Sequence, residues 1–257
     1  MTGMMEGKAG LVTGSGSGIG RATALALAKQ GAKVMVSDVS EAAGLETVKM
    51  IEELGGEAAF LACDVSKEDQ VIALVDKTVE TFGQLDFAHN NAGINKGLVP
   101  IGEMESKDWD ITMQVNLYGT FYCIKHEVNA MIKTGGGAIV NTASGAGIEG
   151  SPNMAPYIAS KHAINGLTKA VALEYGQQGI TINSIAPGAT ITPAIESWSK
   201  SNPEQFAGVL KSLPAGKMST AEDQANAVVF LCSDLAKSIS GVTLAVDGGF
   251  TAGKMQQ

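Results

Sequence analysis

The sequence predicts an α/β fold, a doubly wound parallel sheet of seven strands with helices on both faces. Three observations carry this expectation. Short apolar, β-branched runs alternate with amphipathic helical stretches along the whole length of the chain. The strand-like runs are apolar at most of their positions, as expected of strands buried on both faces. The first of them passes straight into a glycine-rich turn and then a helix, the connection that opens a βαβ unit.

Taken in order, Lys8 to Thr13 (KAGLVT) reads as the first strand and Ile19 to Gln30 as the helix behind it. Lys33 to Ser37 is a second strand that ends on Asp38, followed by a helix from Glu41 to Leu54. Ala58 to Ala62 is the third strand. Val71, Leu74, Val75, Val79 and Phe82 then recur at helical spacing. Leu85 to His89 is the fourth strand, with Asn90 to Gly93 as a turn. Two helices follow, Lys107 to Val115 and Leu117 to Met131. Ala138 to Thr142 is the fifth strand, Tyr157 to Gln177 a long helix, and Thr181 to Ile185 the sixth strand. A helix from Ala221 to Cys232 and a strand from Val242 to Val246 complete the pattern.

No linker, repeat or low-complexity tract divides the chain, so residues 1–257 are expected to form a single domain. The exception is Ala189 to Met218, too long for an ordinary connection and expected to be a lid. Within it, Phe206, Val209, Leu210 and Leu213 are spaced as one helix face.

Composition narrows the function. Hydrophobic residues make up 45% of the 257, enough for a large buried core. The net charge of −8 argues against nucleic acid, an anionic membrane surface or an acidic protein partner. Cys63, Cys123 and Cys232 lack any paired spacing and read as buried thiols. His89, His126 and His162 are too scattered for a metal site, and no metal is expected. Met1 to Gly7 carries an acidic residue and no apolar core, and no run approaches a membrane span, so a cytoplasmic protein is expected.

The glycine-rich turn is Thr13-Gly14-Ser15-Gly16-Ser17-Gly18-Ile19-Gly20. Glycines here let the backbone approach a pyrophosphate, whose charge is received by N–H groups at the helix start. Gly14, Ser17, Gly18, Ile19 and Gly20 are the candidate contacts. Asp38 ends the second strand 20 residues after Gly18, where a carboxylate can accept both ribose hydroxyls of an adenosine. It would repel a 2′-phosphate and has no basic neighbour in sequence, so NAD is expected over NADP.

Tyr157 and Lys161 stand four apart, on one face of a helix, with an ammonium close to a phenol. Such a pair favours the phenolate and suits proton exchange with an alcohol or carbonyl. Alone it is a common surface pair; its surroundings give it weight. Ser144 closely follows the fifth strand, at the sheet edge where open α/β folds bind ligands.

With these motifs in order, the chain resembles the short-chain dehydrogenase/reductases, in their compact single-domain branch, from Lys8 to Gly249. Gly14, Gly18 and Gly20 fit that family's T-G-x-x-x-G-x-G turn, Asp64-Val65 its adenine-contacting pair, and Asn91-Ala92-Gly93 its coenzyme-supporting turn. Asn116, Ser144, Tyr157 and Lys161 fit its catalytic tetrad, with Ser144 thirteen positions before Tyr157. Pro187-Gly188, with Thr190 and Thr192, fits the segment that holds the nicotinamide end. The resemblance implies a Rossmann-type sheet, a homotetramer, and an NAD(H)-dependent oxidoreductase that interconverts a secondary alcohol and a ketone. It also implies roles. Tyr157 is the general acid/base, Lys161 lowers its pKa and binds the nicotinamide ribose, and Asn116 holds a water that links Lys161 to solvent.

Three rivals are weaker, the first an enoyl reductase, a subfamily that separates Tyr and Lys more widely than Tyr157 and Lys161 are here. A 3-oxoacyl-carrier-protein reductase shares the tetrad but usually takes NADPH and an acidic carrier, against Asp38 and the acidic charge. A non-catalytic dinucleotide sensor would not need the complete Ser–Tyr–Lys set. For the substrate, Ser144, Ile148, Met154, Ile195 and Trp198 suggest a mainly apolar alcohol or ketone, with cyclic or aromatic ketones as candidates. Trp198 reads equally well as a pocket wall or as an anchor for the insertion, and His89 as a packed residue.

Overall fold

The computed structural model describes residues 3–191 and 193–253, and among these seven parallel strands form one sheet. They are β1 (Ala9–Thr13), β2 (Lys33–Asp38), β3 (Glu57–Ala62), β4 (Phe87–Asn90), β5 (Gly137–Thr142), β6 (Ile180–Pro187) and β7 (Thr243–Val246). Their order is β3-β2-β1-β4-β5-β6-β7. The chain leaves β1 toward β2 on one side and later returns to β4 on the other. A crevice therefore opens beyond the carboxyl ends of β1 and β4, the place where doubly wound sheets take ligands.

Side chains leave alternate faces of each strand, and both faces are covered. Val12, Val34, Val36, Val140 and Ile185 point into one core, with Leu27 of α1 (Gly18–Lys29), Ile51 of α2 (Glu41–Glu53) and Val228 of α9 (Ala221–Cys232). Leu11, Met35, Ile139 and Ile182 point into the other. There they meet Leu74 of α3 (Glu68–Phe82), Val128 of α5 (Gly119–Thr134) and Val171 of α6 (Ala155–Tyr175).

The two helices expected between β4 and β5 are one continuous helical path. α4 (Ser106–Met113) runs through a π-helical turn, Gln114–Tyr118, directly into α5. Nothing in Gln-Val-Asn-Leu-Tyr breaks a helix. The widened turn accommodates Asn116, whose side chain bonds outside its own helix; π turns of this kind are frequent at functional sites. β4 also starts two residues later than expected, at Phe87. Asp86 is diverted, its carboxylate accepting the Ala9 N–H at 2.7 Å.

The insertion folds as two short helices, α7 (Pro193–Ser201) and α8 (Pro203–Ser212). Of the expected apolar face, Leu213 is buried and Phe206, Val209 and Leu210 are half-buried. Trp198 meets Phe206 edge-on, with ring centres 6.3 Å apart.

Candidate active site

The crevice is a groove of about 930 Å³ that runs from Asp38 to Tyr157. Its floor is the turn between β1 and α1. Gly14 sits at φ 62°, a left-handed conformation that disfavours any side chain. At Gly20 a Cβ would stand 2.1 Å from the Gly14 carbonyl oxygen, so only glycine allows α1 to start this close to the turn. Asn91 bolts the floor to β4. Its Nδ2 donates to the carbonyls of Thr13 (3.1 Å) and Gly14 (3.2 Å), while Thr13 Oγ1 accepts from the N–H groups of Asn91 and Ala92.

The start of α1 suits an anion. Ser17 at the N-cap makes no side-chain capping bond, and no acidic residue lies in the first turn. α2 and α9, by contrast, are capped by Ser40 and Thr220 and carry acidic residues there. The free N–H groups of α1 and its dipole are available to a phosphate.

At one end, Asp38 is held by backbone: Oδ2 accepts from Gly16 N and Oδ1 from Ser40 N, both at 2.9 Å. Each oxygen keeps a further lone pair for the groove it lines. Val39, Cys63, Asp64 and Val65 complete this end. The Asp64 carboxylate is turned back onto Ser66 N, so the groove is met by the backbone and side chains of a fixed bend.

Tyr157 and Lys161, one turn apart near the start of α6, line the other end. Lys161 is buried and donates from Nζ to the Thr142 carbonyl at 2.6 Å. Burial pulls its pKa down to about 8, so it still carries its charge at neutral pH. Tyr157 behaves differently from the expectation. Burial raises its phenol above the ordinary 10.0, and the Ser144 hydroxyl works against this rise. The ammonium lies 5.5 Å from the centre of the Tyr157 ring and is committed to Thr142. Ser144 caps the short turn Gly145–Gly147 by accepting from Ala146 N, so its own hydrogen is the one directed at the Tyr157 oxygen.

Asn116 is fully buried and its amide is a clamp. Oδ1 accepts from Ile94 N (2.8 Å), and Nδ2 donates to the Ile94 carbonyl (2.9 Å) and to Ser160 Oγ (3.1 Å). With both amide hydrogens spent, the side chain ties the segment after β4 to α6. Thr142, Ser160 and Ile94 were not foreseen as site residues. Thr142 lies two residues before Ser144 and Ser160 one before Lys161, and that adjacency was the available signal.

The other expected residues fall as follows. Gly93 lines the groove, and a Cβ there would stand 3.3 Å from Asn116 Oδ1. Pro187 ends β6, Gly188 donates to the Val246 carbonyl, and Thr190 Oγ1 donates to the Gly188 carbonyl. Thr192 lies outside the described residues. Ile195 lines the groove; Trp198 turns to Phe206 instead, as an anchor for the insertion, while Ile148 is exposed and Met154 half-buried. His89 is a packed residue, fully buried against Thr142 Oγ1 at 2.9 Å and kept neutral by burial, with a pKa of about 3. Cys63, Cys123 and Cys232 are free and buried. Among the described residues no helix is long and apolar enough to cross a membrane, and no acidic, His and Cys side chains gather as a metal site.

The family model described as enoyl-(acyl carrier protein) reductase matches residues 14–251. The chain is 44% identical to 2,5-dichloro-2,5-cyclohexadiene-1,4-diol dehydrogenase of Sphingobium indicum, over 96% of this chain and 98% of that protein. It belongs to the short-chain dehydrogenase/reductase family. Cyclohexanol dehydrogenase of an Acinetobacter species is 42% identical over 98% of both chains. The crystal structure of levodione reductase, 38% identical, superposes with a TM-score of 0.90 over 96% of this chain and 98% of that one. These relatives are oxidoreductases, and those named as dehydrogenases act on small alcohols. Family members of the same fold hold either coenzyme. NAD+-bound xylitol dehydrogenase (34% identity, TM-score 0.90, 95% and 99% coverage) and an Agrobacterium tumefaciens structure with bound NADP (34%, 0.87, 96% and 98%) are both similar to this chain.

Proposed function

We propose that this short-chain dehydrogenase/reductase interconverts a secondary alcohol and a ketone with NAD(H), Tyr157 acting as general acid/base. The observation that carries the reading is the convergence of Ser144, Tyr157 and Lys161 at one end of a groove whose other end presents Asp38. The groove suits a dinucleotide: an uncapped helix start for the pyrophosphate, and a carboxylate with spare lone pairs for a ribose. When bound, the nicotinamide accepts or supplies the hydride. The chain's own part is to orient and to move a proton. Ser144, a hydrogen-bond neighbour of Tyr157, donates to the substrate oxygen when substrate is bound. Tyr157, protonated at neutral pH, gives its proton to a ketone oxygen and takes it back from an alcohol. Lys161 keeps a positive charge beneath the phenol and would be the donor to a coenzyme hydroxyl. Asp38 favours NAD because a 2′-phosphate would meet its charge at close range.

The names of the relatives and the apolar Ile195 at the groove support a cyclic secondary alcohol as substrate. The test is a panel of cyclic and open-chain alcohols with NAD and with NADP, followed as coenzyme reduction. Turnover of cyclohexanol-type substrates with NAD is expected; no turnover of any secondary alcohol with either coenzyme would sink the reading.

We further assign the insertion as a lid and the assembly as a cytoplasmic homotetramer. The small-residue stripe Ala159, Ala163, Gly166 and Ala170 faces away from the sheet, and a Cβ on Gly166 would meet nothing within 4 Å. The residues that α6 turns inward are others, among them Ile164, Thr168 and Val171. An outward stripe on the same helix as exposed Leu173 suits contact with a second copy. Light scattering that finds a monomer at micromolar concentration would overturn this assignment.

A further inference from the structure

Asn90 is the last residue of β4 and the one immediately before the turn Asn91–Gly93; it pairs in register with Asn141 on β5. Its Nδ2 donates to Glu127 Oε2 of α5 at 2.9 Å and to Asn141 Oδ1 at 3.0 Å. Asn141 passes the chain on, donating to Thr168 Oγ1 of α6 at 3.0 Å. Glu127, Asn141 and Thr168 are fully buried and Asn90 nearly so. Among the described residues, two acceptors in this row have no hydrogen-bond partner: Glu127 Oε1 and Asn90 Oδ1. They sit on two side chains already joined by one hydrogen bond. A single proton on Glu127 would satisfy both.

We propose that Glu127 is a neutral carboxylic acid whose Oε1–H donates to Asn90 Oδ1, making a two-bond acid–amide pair that positions Asn90 and the coenzyme turn after it. Glu127 is thus a positioning residue, and its role rests on reading Asn91–Gly93 as part of the coenzyme site.

A carboxylate here would leave two buried acceptors unmet and a charge with no cation beside it, the costliest state for a buried group. Burial accordingly raises the Glu127 pKa to about 8, with the Asn90 hydrogen bond as the opposing influence. Cys123, one turn earlier on α5, is the titratable neighbour, and burial keeps it a neutral thiol. α3 buries Val71, Leu74 and Thr78 on this side of the sheet and α6 buries Thr168; Asp76, Lys77 and Glu80 of α3 and His162, Lys169 and Glu174 of α6 are exposed. The buried cation of α6, Lys161, is directed to the Thr142 carbonyl, and His89 on β4 is neutral against the Thr142 hydroxyl.

Glu127→Gln and Glu127→Leu separate the possibilities. Glutamine reproduces the pair with an N–H in place of the O–H and cannot ionise; leucine strands Asn90 Oδ1 and one of the two Nδ2 hydrogens, the other staying on Asn141. The folded pKa lies above the ordinary 4.5, so the proton's contribution to stability is complete below about pH 4.5 and lost as pH rises to about 8. The melting temperature of the wild type should therefore fall relative to Glu127→Gln between about pH 5 and pH 8, then run parallel to it. NADH titration at neutral pH should find Glu127→Gln close to wild type and Glu127→Leu weaker by roughly tenfold. A wild-type-to-Gln difference that stays flat from about pH 5 to pH 9 overturns the proposal, as does Glu127→Gln binding NADH as weakly as Glu127→Leu. Should the leucine variant fail to fold, the pH comparison with glutamine decides. A wild type that binds no NADH defeats the coenzyme reading while leaving the proton at Glu127 decided by the melting curves.

Discussion

The two ends of the groove are built in opposite ways. Around Asp38 the backbone does the placing: N–H groups of Gly16 and Ser40 fix a half-exposed carboxylate, next to Val39, which is 73% exposed. Around Tyr157 burial does the work. Lys161 is 3% exposed with its pKa drawn down to about 8, and the phenol is pushed above its ordinary value. The difference teaches a division of labour. An end that only binds can rely on the geometry of fixed backbone donors. An end that moves a proton brings its groups out of water, where burial shifts their proton affinities.

The largest break in that contrast should come from removing the proton. Tyr157→Phe keeps the ring and its packing, and general acid–base catalysis contributes roughly 10²–10⁴-fold in rate. We expect kcat to fall by about that range while the dissociation constant for NADH, read by fluorescence titration, stays within a factor of ~2. A variant that keeps more than about a tenth of wild-type kcat would show that Tyr157 is not the proton donor.

Lys161 gives the next effect, through pH. Its charge is present below about 8 and lost above, whereas Tyr157 holds its proton throughout the neutral range. Ketone reduction should thus be flat in kcat/KM near neutrality and decline above about pH 8, by up to ~10-fold per pH unit. Lys161→Arg, which cannot lose its charge, should lower the plateau but remove that limb. A limb at the same pH in both proteins would assign it to another group.

At the opposite end, Asp38→Ala should change selection rather than rate. Loss of the charge-assisted bonds to the ribose weakens NAD by about 10-fold, and loss of the repulsion admits NADP. Val39→Arg added to it should favour NADP, because a guanidinium pairs with phosphate. The measurement is the ratio of kcat/KM for the two coenzymes; a wild type that prefers NADP, or a ratio unmoved by Asp38→Ala, removes Asp38 as the selector.

The same contrast explains what could be read from sequence. Asp38, Gly14 and Gly20 act through strand ends and backbone shape, which periodicity and glycine spacing report directly. Tyr157 and Lys161 were legible as a pair because helical spacing sets them one turn apart. Their proton affinities were not, since those depend on burial and on Thr142, nineteen residues from Lys161. The joining of α4 and α5 escaped for a related reason. Asn116 meets Ile94 and Ser160, each distant in sequence, and local pattern carries no trace of a π turn shaped by such contacts. The insertion was seen as a long segment with an apolar face, while the break into α7 and α8 and the turn of Trp198 toward Phe206 arise from packing between its own two helices.

The smallest expected effect sharpens the contrast at two helix starts. α1 and α9 pack side by side in the same core, yet α9 opens with a full capping box and α1 with none. In α9, Thr220 Oγ1 accepts from Asp223 N at 3.1 Å and the Asp223 carboxylate accepts from Thr220 N at 2.8 Å. Thr220→Ala should cost ~1 kcal/mol, a loss of about 2–4 °C in melting temperature for a chain of this size, with kinetics unchanged. Ser17→Ala should do the reverse. Its hydroxyl caps nothing, so stability should stay within about 0.5 kcal/mol, while NADH affinity falls a few-fold if that hydroxyl meets the pyrophosphate. Melting curves and NADH titrations on both variants give four numbers. Equal losses of stability in the two would mean that α1 is capped in solution after all, and its open start would no longer mark the phosphate end of the groove.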